Sequence, residues 1–310
     1  MSEKFPGLKT AIIGGGSIGV GFAVVFTRAA YATTIVDPDP TRRSSIPGEL
    51  DSRLRTLEAH GLLEESVEAI ANRLHVVADV SDAVGGADLV QECVPERENI
   101  KRQLLAQLAE LTDEHCIIAS SSSFMTTTTS AGSTGVESRA LVAHPGNPPF
   151  AIPVIELVPN PQTRTEIVDR ARDIYAGAGM SPVLVTKEYE GFIFNRLQGA
   201  LLREAYALVR DGVASVEDVD TVVRDGLGRR WTFMGPFETV DLNTRGGISV
   251  HAKNMGPTYH RMGQERGDTS EWTPELVAEV TSQRRQTLPL DRWEERVAWR
   301  DEQLLKRLGQ

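Results

Sequence analysis

TAIIGGGSIGVGFAVVFTRAAYATTIVD, residues Thr10 to Asp37, decides how the rest of the chain is read. A short apolar run, Ala11-Ile12-Ile13, leads into Gly14, Gly16 and Gly19 in G-x-G-x-x-G spacing. Ile18, Phe22, Val25, Phe26 and Ala29 then recur at the steps of one helix face. A second apolar strand, Thr33 to Val36, ends in Asp37, 18 residues beyond Gly19. Strand, glycine turn, helix and strand ending in acid form the dinucleotide-binding fingerprint.

The residue types follow from the task. Gly14 permits the tight turn, Gly16 lets backbone amides approach a pyrophosphate, and Gly19 lets the helix pack close to the sheet. Unpaired N–H groups and the positive dipole end at the helix start then face the phosphates. Asp37 accepts from the adenosine ribose hydroxyls and repels a 2′-phosphate, which favours NAD; Arg42 and Arg43 just downstream keep NADP open.

The chain's 310 residues exceed one usual domain. A net charge of −10 gives no electrostatic footprint for nucleic acid. No apolar run approaches a membrane span and MSEKFPGLK lacks a signal-peptide core, so the chain reads as a cytoplasmic enzyme. Cys93 and Cys116 sit in apolar runs as small core residues, and no metal-ligand spacing is present.

After Asp37, DPDPTRRSSIPGEL has loop composition, with helices expected at 51–60 and 63–72. Alternating strands and helices follow, as in a doubly wound, mostly parallel α/β sheet of Rossmann type. Thr126 to Thr129 is a low-complexity patch. From Gly191 the texture becomes helical and charged, so we divide the chain into a cofactor domain, 1–190, and an all-helical domain, 191–310.

Oxidising a secondary alcohol requires a base for the hydroxyl proton. His144 ends a strand at the sheet edge where such folds bind ligands, unlike the other five histidines, which lie in polar contexts. Twelve residues on, Glu156 is a lone acid in the apolar VIELV, costly unless partnered. Spacing alone leaves two readings open: a His144–Glu156 dyad, or an edge histidine and an unrelated glutamate.

GGGSIGVG, QECVPE, ASSSSF, AHPGNPPF with IPVIELVPNP, GFIFNRL and MGPFE together resemble the 3-hydroxyacyl-CoA dehydrogenase superfamily, in particular its L-gulonate 3-dehydrogenase and lambda-crystallin branch. The similarity runs from the glycine loop to RDEQLLKRL near the C-terminus. The resemblance implies His144 as general base with Glu156 as partner, and Ser123 and Asn195 as the remaining active-site positions in an interdomain cleft. It also implies cofactor contacts at Ser17, Ile18, Asp37, Glu96 and Lys101, a substrate contact at Asn147, and a homodimer formed through the helical domain. From the residues alone, the serines read as a polar turn and Asn195 as a helix start. Gly146 stands where that branch usually carries a larger apolar residue, which implies a wider pocket.

Arg230, in GRRWTF just before MGPFE, matches an arginine of the gulonate-like and carnitine-like branches, where acyl-CoA enzymes typically carry Tyr-Pro. A guanidinium fork holds a free carboxylate well; a surface or dimer contact is the other reading. The resemblance therefore implies NAD-dependent oxidation of a small 3-hydroxy acid, with L-gulonate to 3-dehydro-L-gulonate as the specific expectation. Alternatives are a 3-hydroxyacyl-CoA or L-carnitine dehydrogenase, or a non-enzymatic crystallin.

Overall fold

The fingerprint builds the centre of the sheet. The structure is a computed structural model that describes residues 7–245, 247–266 and 289–308, with single positions 273, 275, 282 and 286. Strands β1 (Lys9–Ile13), β2 (Ala32–Val36), β3 (Leu74–Val77), β4 (Leu89–Glu92), β5 (Ile117–Ser120), β6 (Ala140–Pro145), β7 (Val154–Pro159) and β8 (Ser181–Leu184) form one sheet in the order 3-2-1-4-5-6-7-8. All pairings are parallel except β6 with β7. The order reverses between β1 and β4, so the crevice of a doubly wound fold opens at the carboxyl ends of these two strands.

Alternate residues of each strand feed two cores, because side chains on a strand point to opposite faces. Ile12, Ile35, Leu89, Ile117, Leu141 and Ile155 join one core with Phe22, Phe26 and Tyr175. Ala11, Ile13, Val36, Val90 and Ile118 join the other with Leu104, Leu105 and Leu108. Helix α1 (Ser17–Arg28) is buried from Gly19 to Thr27. Two glycines of the turn into it are forced by contact: a Cβ on Gly19 would overlap the Gly14 carbonyl, and one on Gly14, at φ +110, would lie 2.6 Å from the Cys93 carbonyl oxygen.

One expected loop is a helix. Helix α2 spans Pro40–Ala59, taking in most of the stretch read as loop and the helix expected at 51–60. Asp39 caps it by accepting from the Thr41 amide at 2.8 Å, and Pro40 sits in the first turn, where its missing N–H costs nothing. Ile46, Leu50, Leu54 and Leu57 form its buried stripe, so packing overrides Pro47 and Gly48 inside the helix. Helices α3 (Val67–Ala71), α4 (Val80–Val84), α5 (Glu98–Leu111), α6 (Thr127–Ala131) and α7 (Thr165–Gly177) complete the layers; α3 is shorter than expected, and α6 falls on the threonine run.

Residue contacts divide the chain into two units, Met1–Arg196 with Arg296–Gln310, and Leu197–Glu295. Leu305, on the helix Trp293–Leu308, is fully buried in the core of the first unit. The second unit holds most of α8 (Phe194–Arg210), then α9 (Val216–Thr221), α10 (Gly228–Trp231), α11 (Pro236–Asn243) and α12 (Gly247–Glu265). Arg266 pairs there with Glu204 and with Asp211 at 2.6 Å. Among the described residues, Phe233, Phe237, Leu242 and Leu197 of this unit are each more than half exposed. No helix of the described residues is long and apolar enough to cross a membrane.

Candidate active site

The antiparallel turn of the sheet answers the question that spacing left open. In the β6–β7 ladder His144 stands directly opposite Glu156, and directly opposed residues share a face. Their side chains meet, with Nδ1 of His144 2.7 Å from Oε2 of Glu156. The second oxygen, Oε1, accepts from the backbone amides of Ile193 at 2.7 Å and Phe194 at 2.9 Å, at the start of α8.

Those two donors are helix-start amides that would otherwise lack partners. The chain reaches them through Gly191 at φ +78 and Phe192 at φ +49. A left-handed conformation costs a residue such as Phe192 about 1–2 kcal/mol, and its burial (2 % exposed) and ring packing 5.7 Å from the His144 ring hold it there. Phe194 lies edge-on to the same imidazole at 6.1 Å.

Burial alone would raise the pKa of Glu156. The hydrogen bonds from His144 and from the amides of Phe194 and Ile193 outweigh it and hold the carboxyl below its ordinary range. An ionised Glu156 accepts only, which places the imidazole proton on Nδ1 and leaves Nε2 as the nitrogen able to take one.

Asn195, in the first turn of α8, donates through Nδ2 to the carbonyl oxygen of Ser123 at 3.0 Å, so Ser123 enters this contact through its backbone. Asn147 is exposed and precedes a cis bond to Pro148. Gly146 does not widen the site, because a Cβ there would overlap the Ile152 side chain, which fills that space. Arg230 lies half-buried on α10 in the second unit.

On the cofactor side, the start of α1 has the form a dinucleotide needs. Gly16 at its N-cap offers no side-chain cap, is exposed, and a Cβ there would meet nothing within 4 Å. The amides of Ser17 and Ile18 follow in the first turn, open to a pyrophosphate. Asp37 is fixed by the Gly15 amide at 2.9 Å and the Asp39 amide at 3.0 Å. Gly21 of α1 abuts Pro149, so this helix also braces the loop that follows His144.

Glu96 accepts from the hydroxyl of Ser122 and from Nζ of Lys101 at 3.2 Å, and these contacts, against its partial burial, lower its pKa. Lys101 itself is enclosed, 1 % exposed, with both oxygens of Glu92 at 2.8 Å. Ser120 donates to Glu92 at 2.5 Å. The sequence reading passed over Glu92, although an acid in the apolar run LVQEC is the signal that singled out Glu156. It also missed the amides of Ile193 and Phe194, since backbone groups carry no letter. Among the described residues, no group of three or more His, Cys, Asp or Glu is placed to hold a metal.

Comparison with known proteins gives this geometry a context. Residues 9–189 match the 3-hydroxyacyl-CoA dehydrogenase NAD binding domain, and residues 191–287 match the C-terminal domain of the same family. A lambda-crystallin homolog of Bos taurus is 36 % identical over 300 residues, covering 96 % of this chain and 93 % of the relative. An L-carnitine dehydrogenase of Nocardiopsis dassonvillei is 36 % identical over 273 residues, covering 86 % and 79 %. Among solved structures, a 5-formyl-3-hydroxy-2-methylpyridine 4-carboxylic acid 5-dehydrogenase, described as an NAD+ dependent dismutase, superposes with a TM-score of 0.77 at 27 % identity over 98 % of both chains.

Proposed function

We propose a reaction from one premise: this chain belongs to the 3-hydroxyacyl-CoA dehydrogenase family and is an NAD-dependent oxidoreductase acting on a CH–OH group. The proposed reaction is oxidation of the 3-hydroxyl of a small free hydroxy acid, with L-gulonate to 3-dehydro-L-gulonate as the specific candidate. The observation that carries it is the His144–Glu156 pair, with Glu156 held ionised by two helix-start amides.

In this reading Nε2 of His144 takes the hydroxyl proton, and Glu156 stabilises the imidazolium that forms. Gly14, Gly16, Ser17, Ile18, Gly19 and Asp37 would hold NAD, which would supply the hydride acceptor. Glu96 and Lys101 shape the cofactor side, and Ser123 and Asn195 orient the reacting oxygen. Asn147 contacts the substrate. Arg230 holds its carboxylate as a guanidinium fork. The L-carnitine dehydrogenase relative supports a free acid, since carnitine is itself a 3-hydroxy carboxylate. The functional division proposed is a cofactor domain, 1–190, and a helical domain, 191–310, that forms a homodimer; the exposed Leu197, Leu201 and Leu202 of α8 support the latter, and sedimentation gives the measurement.

NADH appearance with L-gulonate, L-carnitine, L-3-hydroxybutyrate and 3-hydroxybutyryl-CoA tests the substrate class. Preference for a free acid supports the proposal; turnover of the CoA ester alone overturns it. Arg230→Met is expected to raise KM for the free acid at least about tenfold, the worth of a lost charge-assisted hydrogen bond, with KM for NAD unchanged. Equal effects on both would remove Arg230 from the substrate site.

A further inference from the structure

Two arginines stand beside the carboxylate that reads the adenosine ribose, and arginine is the residue type that accommodates a 2′-phosphate there. We propose that Glu49 determines the choice of NAD over NADP by withholding Arg42 from the ribose site, as a second barrier behind Asp37. The inference rests on the reading of Asp37 as the ribose acceptor.

Arg42, Ser45 and Glu49 lie at i, i+3 and i+7 on α2, one stripe of that helix. The guanidinium is engaged on all three nitrogens. Nε donates to the Gly15 carbonyl at 2.5 Å, Nη1 to Ser45 at 2.8 Å and to Oε1 of Glu49, and Nη2 to Oε2 of Glu49 at 2.8 Å. Four of the five N–H donors of an arginine are thereby spent. The pairing with Glu49 is a two-pronged fork, the arrangement a phosphate would need for itself.

Arg43 is committed elsewhere. Its Nη1 donates to the carbonyl oxygens of Asp37 and Pro38, both at 2.8 Å, so it ties down the turn after β2. The ionisable groups gathered at this corner are Asp37, Asp39 and Glu49 against Arg42, Arg43 and Arg53, the last with its Nη2 3.9 Å from Oε2 of Glu49. Besides this ion pair with Glu49, Arg53 donates to the carbonyl of Ser17 at 3.1 Å and stacks 5.6 Å from the Phe150 ring centre, which ties it to the start of α1. A 2′-phosphate brought here meets the Asp37 carboxylate directly and finds its natural cation already paired. Removing Asp37 alone lifts the repulsion and leaves the cation occupied; removing the charge of Glu49 as well frees it.

Equilibrium titration of the full chain with NADH and NADPH, read by nucleotide fluorescence and checked against melting curves, tests this without turnover. Asp37→Ser is expected to gain NADPH affinity modestly. Glu49→Gln added to it is expected to tighten NADPH by a further tenfold or so, the worth of a charge-assisted hydrogen bond newly made. Glu49→Ala repeats the comparison without an amide that can still hold the guanidinium. Adding Arg42→Met must erase the gain. A double variant no better than Asp37→Ser, or a gain that survives Arg42→Met, overturns the proposal. A wild-type chain that binds NADPH as well as NADH overturns it while leaving the reaction in place, whereas one that binds neither overturns both.

Discussion

Glu92 at the end of β4 and Glu156 in β7 are acids of the same kind in the same sheet, 0 % and 2 % exposed, each with a basic side chain within 2.8 Å. Their partners differ. Lys101 is itself sealed and gives its ammonium to both oxygens of Glu92, with Ser120 donating to one of them. His144 spends one ring nitrogen on Glu156 and keeps the other, while the free oxygen of Glu156 is filled by backbone. A buried acid needs a partner to exist at all. Whether it becomes a clamp or a centre of chemistry depends on whether the partner has an atom left over that can gain and lose a proton.

Three experiments test that contrast. The largest effect is expected from His144→Gln, which should lower kcat about 10³-fold, within the range for loss of general base catalysis, while NADH binding and melting temperature stay near wild type. Next comes Lys101→Met, which leaves Glu92 charged and unpaired in the sheet and should cost about 3–5 kcal/mol of stability, read as a fall in urea midpoint. Glu92→Leu together with Lys101→Met should recover part of it. Should Lys101→Met instead abolish turnover with stability intact, the clamp would be a catalytic group and the contrast would collapse.

The smallest effect concerns pH. The folded pKa of Glu156 lies below its unfolded value, burial being outweighed by its hydrogen bonds. The unfolded chain therefore binds the proton first as pH falls. The stability this group contributes is whole above the unfolded pKa, roughly 4.3, and is lost as pH drops through the folded one. Glu156→Gln is expected to flatten the acid side of a stability-against-pH curve, and Glu96→Gln, also lowered despite its burial, to flatten it less. An unchanged acid slope in Glu156→Gln would show that its carboxylate is not selectively held by the fold.

How much of this was legible depended on where the information resides. Glycine spacing is written in letters, and the turn is legible from it because a Cβ at Gly14 or Gly19 would collide with backbone, while Gly16 leaves open the space a pyrophosphate needs. The pairing of His144 with Glu156 required knowing that β7 runs antiparallel to β6, which no local pattern states; given that register, the pair is dictated. Helix α2 was hidden because Pro47, Gly48 and the serines lower its intrinsic propensity, and the buried stripe from Ile46 to Leu57 forms only against the rest of the core. The expectation of a wider pocket at Gly146 failed for a similar reason, since the volume a small residue vacates belongs to whichever neighbour reaches it, here Ile152. Glu92 is readable by the rule applied to Glu156; its partner Lys101, on the following helix, is a position the family resemblance assigns to the cofactor, and the ion pair between them lies outside what either local pattern states.

Leu305 is buried in the same core as Phe22 and Ile35, and this fixes an order of events during synthesis. A ribosome adding about 5–20 residues per second delivers the glycine turn early and Leu305 only after the whole helical unit between them. The cofactor unit is thus begun first and closed last. Until then its core carries an unfilled seat, and a nascent chain stalled within the helical unit holds every strand of the sheet yet lacks the side chain that finishes its packing.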